Sequence, residues 1–248
     1  MPATADDRDL LGLDTATRFE LAASGRILRE NAPDRGAAPR LYLAGCRSGN
    51  EVRLRHDVGE TTARAIEGLA ESEPALCEVG STPVHFDEYL RLLGAEAPVE
   101  DGHAGLNWAF PARIDYRHPA ALITSDTPEG DRLLALLVER GMPEALVALG
   151  FVDTGEFWAP WCVALDGDAI ASIAFAARLT PGGAAIGVTT VPAYRGRGFA
   201  AAATAGWASL PALAGRTLFY SHDRTNISSR RVVDRLGLRF LGASFSVT

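Results

Sequence analysis

The stretch richest in chemistry is Val188-Thr-Thr-Val-Pro-Ala-Tyr-Arg-Gly-Arg-Gly-Phe-Ala-Ala. A strand pattern ends at Val191, and Pro192 stops further pairing because it has no N–H to give. Gly196 and Gly198 carry no Cβ, so the backbone there approaches a ligand closely. A helix begins almost at once, which aims several unpaired N–H groups and the positive end of its dipole at one point. Such a point holds an anion and suits a pyrophosphate, with the charges of Arg195 and Arg197 beside it. From the residues alone, two other readings stay open. The glycines can simply make a tight turn. Alternatively, Gly196-Arg-Gly198-Phe-Ala-Ala fits the G-x-G-x-x-A pattern of a dinucleotide site, with Asp223 near the ribose-binding spacing. Against that stand residues 192–195, which separate the strand from the first glycine, and the 25 residues after Asp223, too few to finish a doubly wound sheet.

Downstream, Asn226-Ile-Ser-Ser229-Arg-Arg-Val-Val-Asp-Arg-Leu-Gly-Leu238 reads as a capped helix ended by Gly237 and followed by a strand. The strand, the Arg-x-x-Gly-x-Ala loop (Arg195, Gly198, Ala200), the helix, the next strand and the Asn-x-x-Ser…Leu-Gly block together resemble the GNAT superfamily of acetyl-CoA-dependent N-acetyltransferases. The motif-bearing part spans roughly residues 160–240, and the element order extends it back to about 120. The resemblance implies that Arg195, Gly196, Arg197, Gly198, Phe199 and Ala200 hold the pyrophosphate of coenzyme A. It implies that the main chain of Thr189, Thr190 and Val191 pairs with the pantetheine arm, one amide polarising the thioester carbonyl. Asn226 and Ser229 would contact the cofactor from the other side; read alone, Asn226 caps its helix and Ser229 supports that cap.

Many members of that superfamily use a carboxylate on the strand before the loop as base, and a tyrosine seven residues after the asparagine as acid. Here residues 184–191 contain no acid and the second position is Val233. Two substitutes close the neighbouring strand: His222 as base, with an ordinary pKa of ~6.5, and Tyr220 as proton donor. The plain alternatives are that Tyr220 packs and that His222 is a surface loop residue. If no side chain takes the proton, the amine loses it to water and attacks unaided. The implied acceptor is a primary amine of a small molecule or peptide. A non-catalytic acyl-CoA-binding module is the alternative, and a nicotinamide-binding oxidoreductase the second. Trp158 and Trp161 either line an acceptor pocket or pack in the core.

These residues need a scaffold, and the punctuation supplies one. From Ala120 the pattern reads β-α-α-β-β-β-α-β-α-β, with strands at 121–124, 161–165, 170–177, 184–191, 217–221 and 239–247. Before it come a helix within residues 1–30, a linker at 31–39, strands at 41–44 and 51–56, helices at 61–70 and 86–93, and a second linker at 96–105. The fold class expected is α/β (α+β type): a mixed central sheet flanked by helices, with an additional N-terminal α/β region. The expected division is 1–119 and 120–248, the first part covering the acceptor side or forming a degenerate second copy.

Composition narrows the chemistry further. All 24 basic residues are arginine, which removes a P-loop lysine, a Schiff-base lysine and a lysine general base. The net charge of −7 resides in residues 1–119, with 20 acids against 13 arginines, and no basic stripe for nucleic acid is visible. Cys46, Cys77 and Cys162 lack metal or disulfide spacing, and the other histidines, His56, His85, His103 and His118, are scattered, so no metal site is expected. The acidic start, Met-Pro-Ala-Thr-Ala-Asp-Asp, is unlike a signal peptide, and the longest uncharged apolar run, 199–215, is short for a membrane span. A cytoplasmic protein with no membrane partner is the expectation. The oligomeric state is left open.

Overall fold

The computed structural model describes residues 6–99 and 102–248. Residues 1–5 of the acidic start, and Glu100 and Asp101 of the second expected linker, lie outside the described residues. The chain forms two compact units whose boundaries differ from a split at residue 119. One unit runs up to Ala109 and takes in Ser221–Ile227 and Arg239–Thr248 as well; the other comprises Phe110–Tyr220 and Ser228–Leu238.

In the first unit, α1 (Asp7–Arg18) leads into a short hairpin of β1 (Phe19–Leu21) and β2 (Ile27–Glu30). A second hairpin follows, β3 (Leu41–Cys46) with β4 (Gly49–Leu54), then α2 (Glu60–Glu71), α3 (Phe86–Gly94) and β5 (His103–Ala109). The sheet order is β4-β3-β11-β5, where β11 is Arg239–Val247 and runs antiparallel to both neighbours. All six residues of β3 are buried, as expected for a strand covered on both faces, and Leu11, Phe19, Ile27 and Tyr42 form the core against α1. The β1–β2 hairpin and β5 are absent from the sequence reading, and residues 103–105 of β5 fall in the expected linker. Its register explains why: β5 pairs with β11 from Ala109–Arg239 to His103–Ser246, a distant partner that overrides a Gly-rich local composition.

The second unit carries the order β10-β9-β8-β7-β6. Its strands are β6 (Ala121–Thr124), β7 (Trp161–Asp166), β8 (Ala169–Leu179), β9 (Gly183–Thr190) and the first residues of β10 (Thr217–Asp223). Neighbours from β6 to β9 are antiparallel and β9–β10 is parallel, so the sheet is mixed and unlike the parallel sheet of a dinucleotide fold. The helices are α4 (Pro128–Arg140), α5 (Glu144–Val147), α6 (Phe199–Ala208) and α7 (Ile227–Leu236). Thr127 caps α4, its Oγ1 accepting from Gly130 N at 3.1 Å, with Pro128 in the first turn. Small residues let α6 lie flat on the sheet: Ala201, Ala202 and Ala203 are buried, and Trp207 Nε1 donates to Pro160 O at 2.9 Å. The core gathers Leu137, Phe151, Phe157, Trp161, Val163 and Ile173. Trp161 thus belongs to the core, and Trp158 meets Phe175 edge-on at 5.5 Å.

Candidate functional site

In the second unit, β9 ends at Thr190 and a single 3-10 turn, Pro192–Tyr194, leads into the loop 195–198 and α6. Gly198 is the N-cap of α6 with φ 95°, and Gly196 has φ 78°, values that glycine adopts without strain. No side chain caps this helix; its first internal bond is Ala202 N to Gly198 O at 3.0 Å. The amides before Ala202 therefore keep their donors for something else, and the helix dipole points the same way.

The two loop arginines are not equivalent. Arg197 is exposed but tied back: its Nη1 meets Asp166 Oδ2 at 2.9 Å, and its guanidinium lies over the rings of Phe199 (5.1 Å) and Tyr194 (5.5 Å). Arg195 is exposed, with Nε reaching Thr190 O at 3.3 Å and no carboxylate within ion-pair distance among the described residues. Two residues that sequence reasoning passed over brace the loop from behind. Tyr116 Oη donates to Gly198 O at 3.4 Å, and His118 Nε2 meets Arg197 O at 3.0 Å. His118 Nδ1 accepts from Ala120 N at 3.1 Å, so Nε2 carries the ring proton and donates it to the loop. Only their place just before β6 links them to the loop, and one sequence offers no signal for that. A cavity of about 530 Å³ opens beside them, lined in part by His118, Asp166, Arg197 and Phe199.

The strand before the loop is open on one side. Parallel pairing of β9 with β10 runs from Gly183–Thr217 to Ala185–Phe219 and stops there. Farther along, β9 pairs with β8, from Ile186–Ala176 to Thr190–Ser172. Val191 N donates to Ala171 O at 3.0 Å, which turns the main chain of 191, 189 and 187 toward β8. Alternation then turns Ile186, Val188 and Thr190 the other way. Thr189 O accepts from Ser172 Oγ at 2.8 Å. Of the three residues expected to pair with a pantetheine arm, Thr190 alone faces the open edge, with Val188 on the same side; Thr189 and Val191 face β8.

Tyr220 and Ser229 come together in this unit, with Tyr220 Oη donating to Ser229 Oγ at 3.2 Å. Burial pushes the Tyr220 phenol above its ordinary value, with Ser229 opposing, so it holds its proton at neutral pH. Ser229 thus supports a buried tyrosine. Val233, at the position where the superfamily resemblance leads one to expect a tyrosine, is fully buried.

His222 and Asn226 belong to the first unit. His222 is buried, contrary to a surface loop residue, and both its nitrogens are engaged. Trp108 Nε1, which can only donate, gives its proton to His222 Nε2 at 3.1 Å, while Nδ1 lies 2.7 Å from Asp223 O. The ring is therefore the neutral Nδ1–H tautomer, with its lone pair already taken. Asn226 is exposed in the turn before α7, its N–H donating to Asp223 O at 2.9 Å. No group of three metal-ligating side chains, and no helix long and apolar enough to cross a membrane, occurs among the described residues.

No family model and no curated protein matches the chain. Several solved structures do. An acetyltransferase from the GNAT family of Colwellia psychrerythraea is 12% identical, over 99% of this chain and 98% of that one, with a TM-score of 0.45. A GCN5-related N-acetyltransferase-like protein from Streptococcus suis is 15% identical over 85% of each chain, TM-score 0.46. A chain from Novosphingobium aromaticivorans named for the GNAT family is 20% identical over 60% of this chain, TM-score 0.41, and the match spans 66% of its length.

Proposed function

We propose that the protein is an acetyl-CoA-dependent N-acetyltransferase, moving an acetyl group to a primary amine of a small molecule or peptide by direct attack. One observation carries the reading: an uncapped helix end with an unpaired arginine directly follows a strand whose ladder stops halfway. The loop amides and Arg195 suit a pyrophosphate, and the open edge at Val188 and Thr190 suits an amide-bearing arm. The thioester supplies the activated acyl group. This chain supplies binding, alignment and a main-chain donor near Thr190 for the thioester oxygen.

Proton handling follows from the hydrogen bonds. His222 has no lone pair to offer, and β9 offers no carboxylate, so the amine arrives already neutral. Tyr220 keeps a proton that can reach the departing sulfur, leaving Ser229 as its resting acceptor. At saturating acetyl-CoA the rate then rises with pH toward the acceptor's own pKa, later for more basic acceptors, and His222→Ala leaves that rise in place. A profile identical for acceptors of different basicity overturns direct attack. The engaged His222 equally favours a second reading, a non-catalytic acyl-CoA-binding module. Acetyl-CoA binding by calorimetry, with no acetylated product by mass spectrometry from a broad amine panel, would select it. Absence of acetyl-CoA binding would sink both.

A further inference from the structure

Residues 110–120 form no helix or strand of their own, yet they run behind the loop 195–198 of the same unit. Both ends of the segment are held. Phe110 N donates to Leu218 O at 2.9 Å, and Ala121 pairs with Leu165 in the β6–β7 ladder. In between, Pro119 confines His118 to extended backbone, and Ala120 N, donating to Nδ1 at 3.1 Å, fixes the tilt of the ring. The imidazole also lies nearly parallel to Tyr116, at 6.4 Å, and edge-on to Phe199, at 5.1 Å. Its proton on Nε2 therefore has a set direction, and Arg197 O lies there at 3.0 Å. Arg197 is pinned twice, by its guanidinium on Asp166 and by its carbonyl on His118.

That carbonyl bond decides where the next amide points. The peptide between Arg197 and Gly198 is planar and trans, so its C=O and N–H point in opposite directions. With Arg197 O turned to His118, Gly198 N–H turns away from the ring, to a side where it has no acceptor among the described residues. One peptide on, Gly198 O accepts from Ala202 N at 3.0 Å and from Tyr116 Oη at 3.4 Å, and Phe199 N–H points out of the helix end. The second peptide is already fixed by α6. The first is not, because glycine takes φ of either sign and permits the 197–198 peptide to turn over. Turned over, it would present a carbonyl oxygen to an anion in place of a donor. His118 is the one hydrogen-bond partner of Arg197 O among the described residues, so it alone selects the orientation.

We infer that His118 is a positioning residue for the anion: by holding Arg197 O it keeps Gly198 N–H aimed at the phosphate, acting through the main chain. The inference rests on the acetyltransferase reading, in which that phosphate belongs to coenzyme A. The test uses the full chain, with titration calorimetry for coenzyme A and ligand-observed NMR for pantetheine, which has the same arm and no phosphate. His118→Phe keeps a flat ring between Tyr116 and Phe199 and deletes the donor, whereas His118→Gln keeps an N–H at the place of Nε2. His118→Phe should weaken coenzyme A roughly three- to tenfold, the worth of one hydrogen bond. His118→Gln should stay within about twofold of the unaltered chain, inside the span of that single bond, and pantetheine should bind to all three alike. Tyr116→Phe should cost less than His118→Phe, because its hydroxyl only adds to a bond that α6 already makes. A long-range nitrogen NMR spectrum of the unaltered chain should show His118 protonated at Nε2, which checks the bond without any substitution. Unchanged coenzyme A affinity in His118→Phe, an equal loss in His118→Gln, a larger loss in Tyr116→Phe, a parallel loss of pantetheine, or a ring protonated at Nδ1 would each overturn the inference and leave the acetyltransferase reading standing. An unaltered chain that binds no coenzyme A would end both.

Discussion

The loop of the second unit and the polar cluster around Arg18 in the first present their hydrogen-bond donors in opposite ways. Around Gly196 and Gly198 the donors are main-chain amides, presented because nothing caps α6. Around Arg18 in the first unit they are side-chain groups, the guanidinium bonding Asp14, Ser221 and Asn107 at once. Main-chain donors require only a backbone path, so they tolerate any side chain that respects it. Side-chain donors require each partner to be present and oriented, so removal of one misdirects the next. A site of the first kind is robust and generic, fitted to a part of a ligand that never changes. A site of the second kind is brittle and selective.

Ligand protection of buried thiols tests that contrast most strongly. Cys46 lies in the first unit and Cys162 in the second, both buried; burial pushes the Cys162 thiol up to about 12 and raises that of Cys46. Raised values leave little thiolate at pH 8, so alkylation proceeds through opening. A ligand at a hundred times its Kd adds about 2.7 kcal/mol, roughly a hundredfold in opening. Acetyl-CoA, whose sulfur is capped, should slow labelling of Cys162 by that factor and leave Cys46 unchanged. Equal protection of both thiols by acetyl-CoA would mean that the units open as one and would dissolve the contrast.

Next in size is the loop itself. A Cβ at Gly198 would stand 3.0 Å from Tyr116 Oη and from the His118 ring, on a backbone at φ 95°. Gly198→Val should lower acetyl-CoA affinity at least tenfold, about 1.4 kcal/mol, and lower stability too. Gly167→Ala, in an open turn of the same unit at φ 60°, provides the control. It should cost about 1 kcal/mol of stability and leave the affinity intact. Equal affinity loss in both would show that the loop responds to global strain alone.

The smallest effect separates the arginines. Arg195→Gln should weaken acetyl-CoA binding three- to tenfold at low salt, with the difference shrinking at 0.5 M salt, where the Debye length is only about 4 Å. Arg197→Gln should weaken it less, because Asp166 already neutralises that charge. The reverse order, measured by calorimetry at two salt concentrations, would reassign the anion contact to Arg197.

The same contrast explains what one sequence discloses. The loop was legible because proline, glycine and helix-start rules act within a dozen residues, from Val188 to Ala200. The order of elements from β6 onward was legible for the same reason. The orientation of β9 was not: whether Thr189 or Thr190 faces the open edge depends on register with β8, which a run of apolar residues does not encode. The cluster around Arg18 was invisible because Arg18, Tyr42, Asn107 and Ser221 lie far apart in the chain and none has a distinctive neighbour. His222 looked like a base because imidazole chemistry is suggestive; its indole partner Trp108 lies 114 positions away.

The placement of β11 has a consequence for biosynthesis. It lies between β3 and β5, so the middle of the first unit's sheet leaves the ribosome after every other strand described. Until it emerges, β3 and β5 wait as unpaired edges exposed to other nascent chains, whereas β6 through β9 already have one another. Synthesis should therefore carry a long window in which the second unit is organised and the first depends on holding factors. Codon changes that slow translation after residue 220 should lengthen that window and lower soluble yield, without altering one atom of the finished molecule.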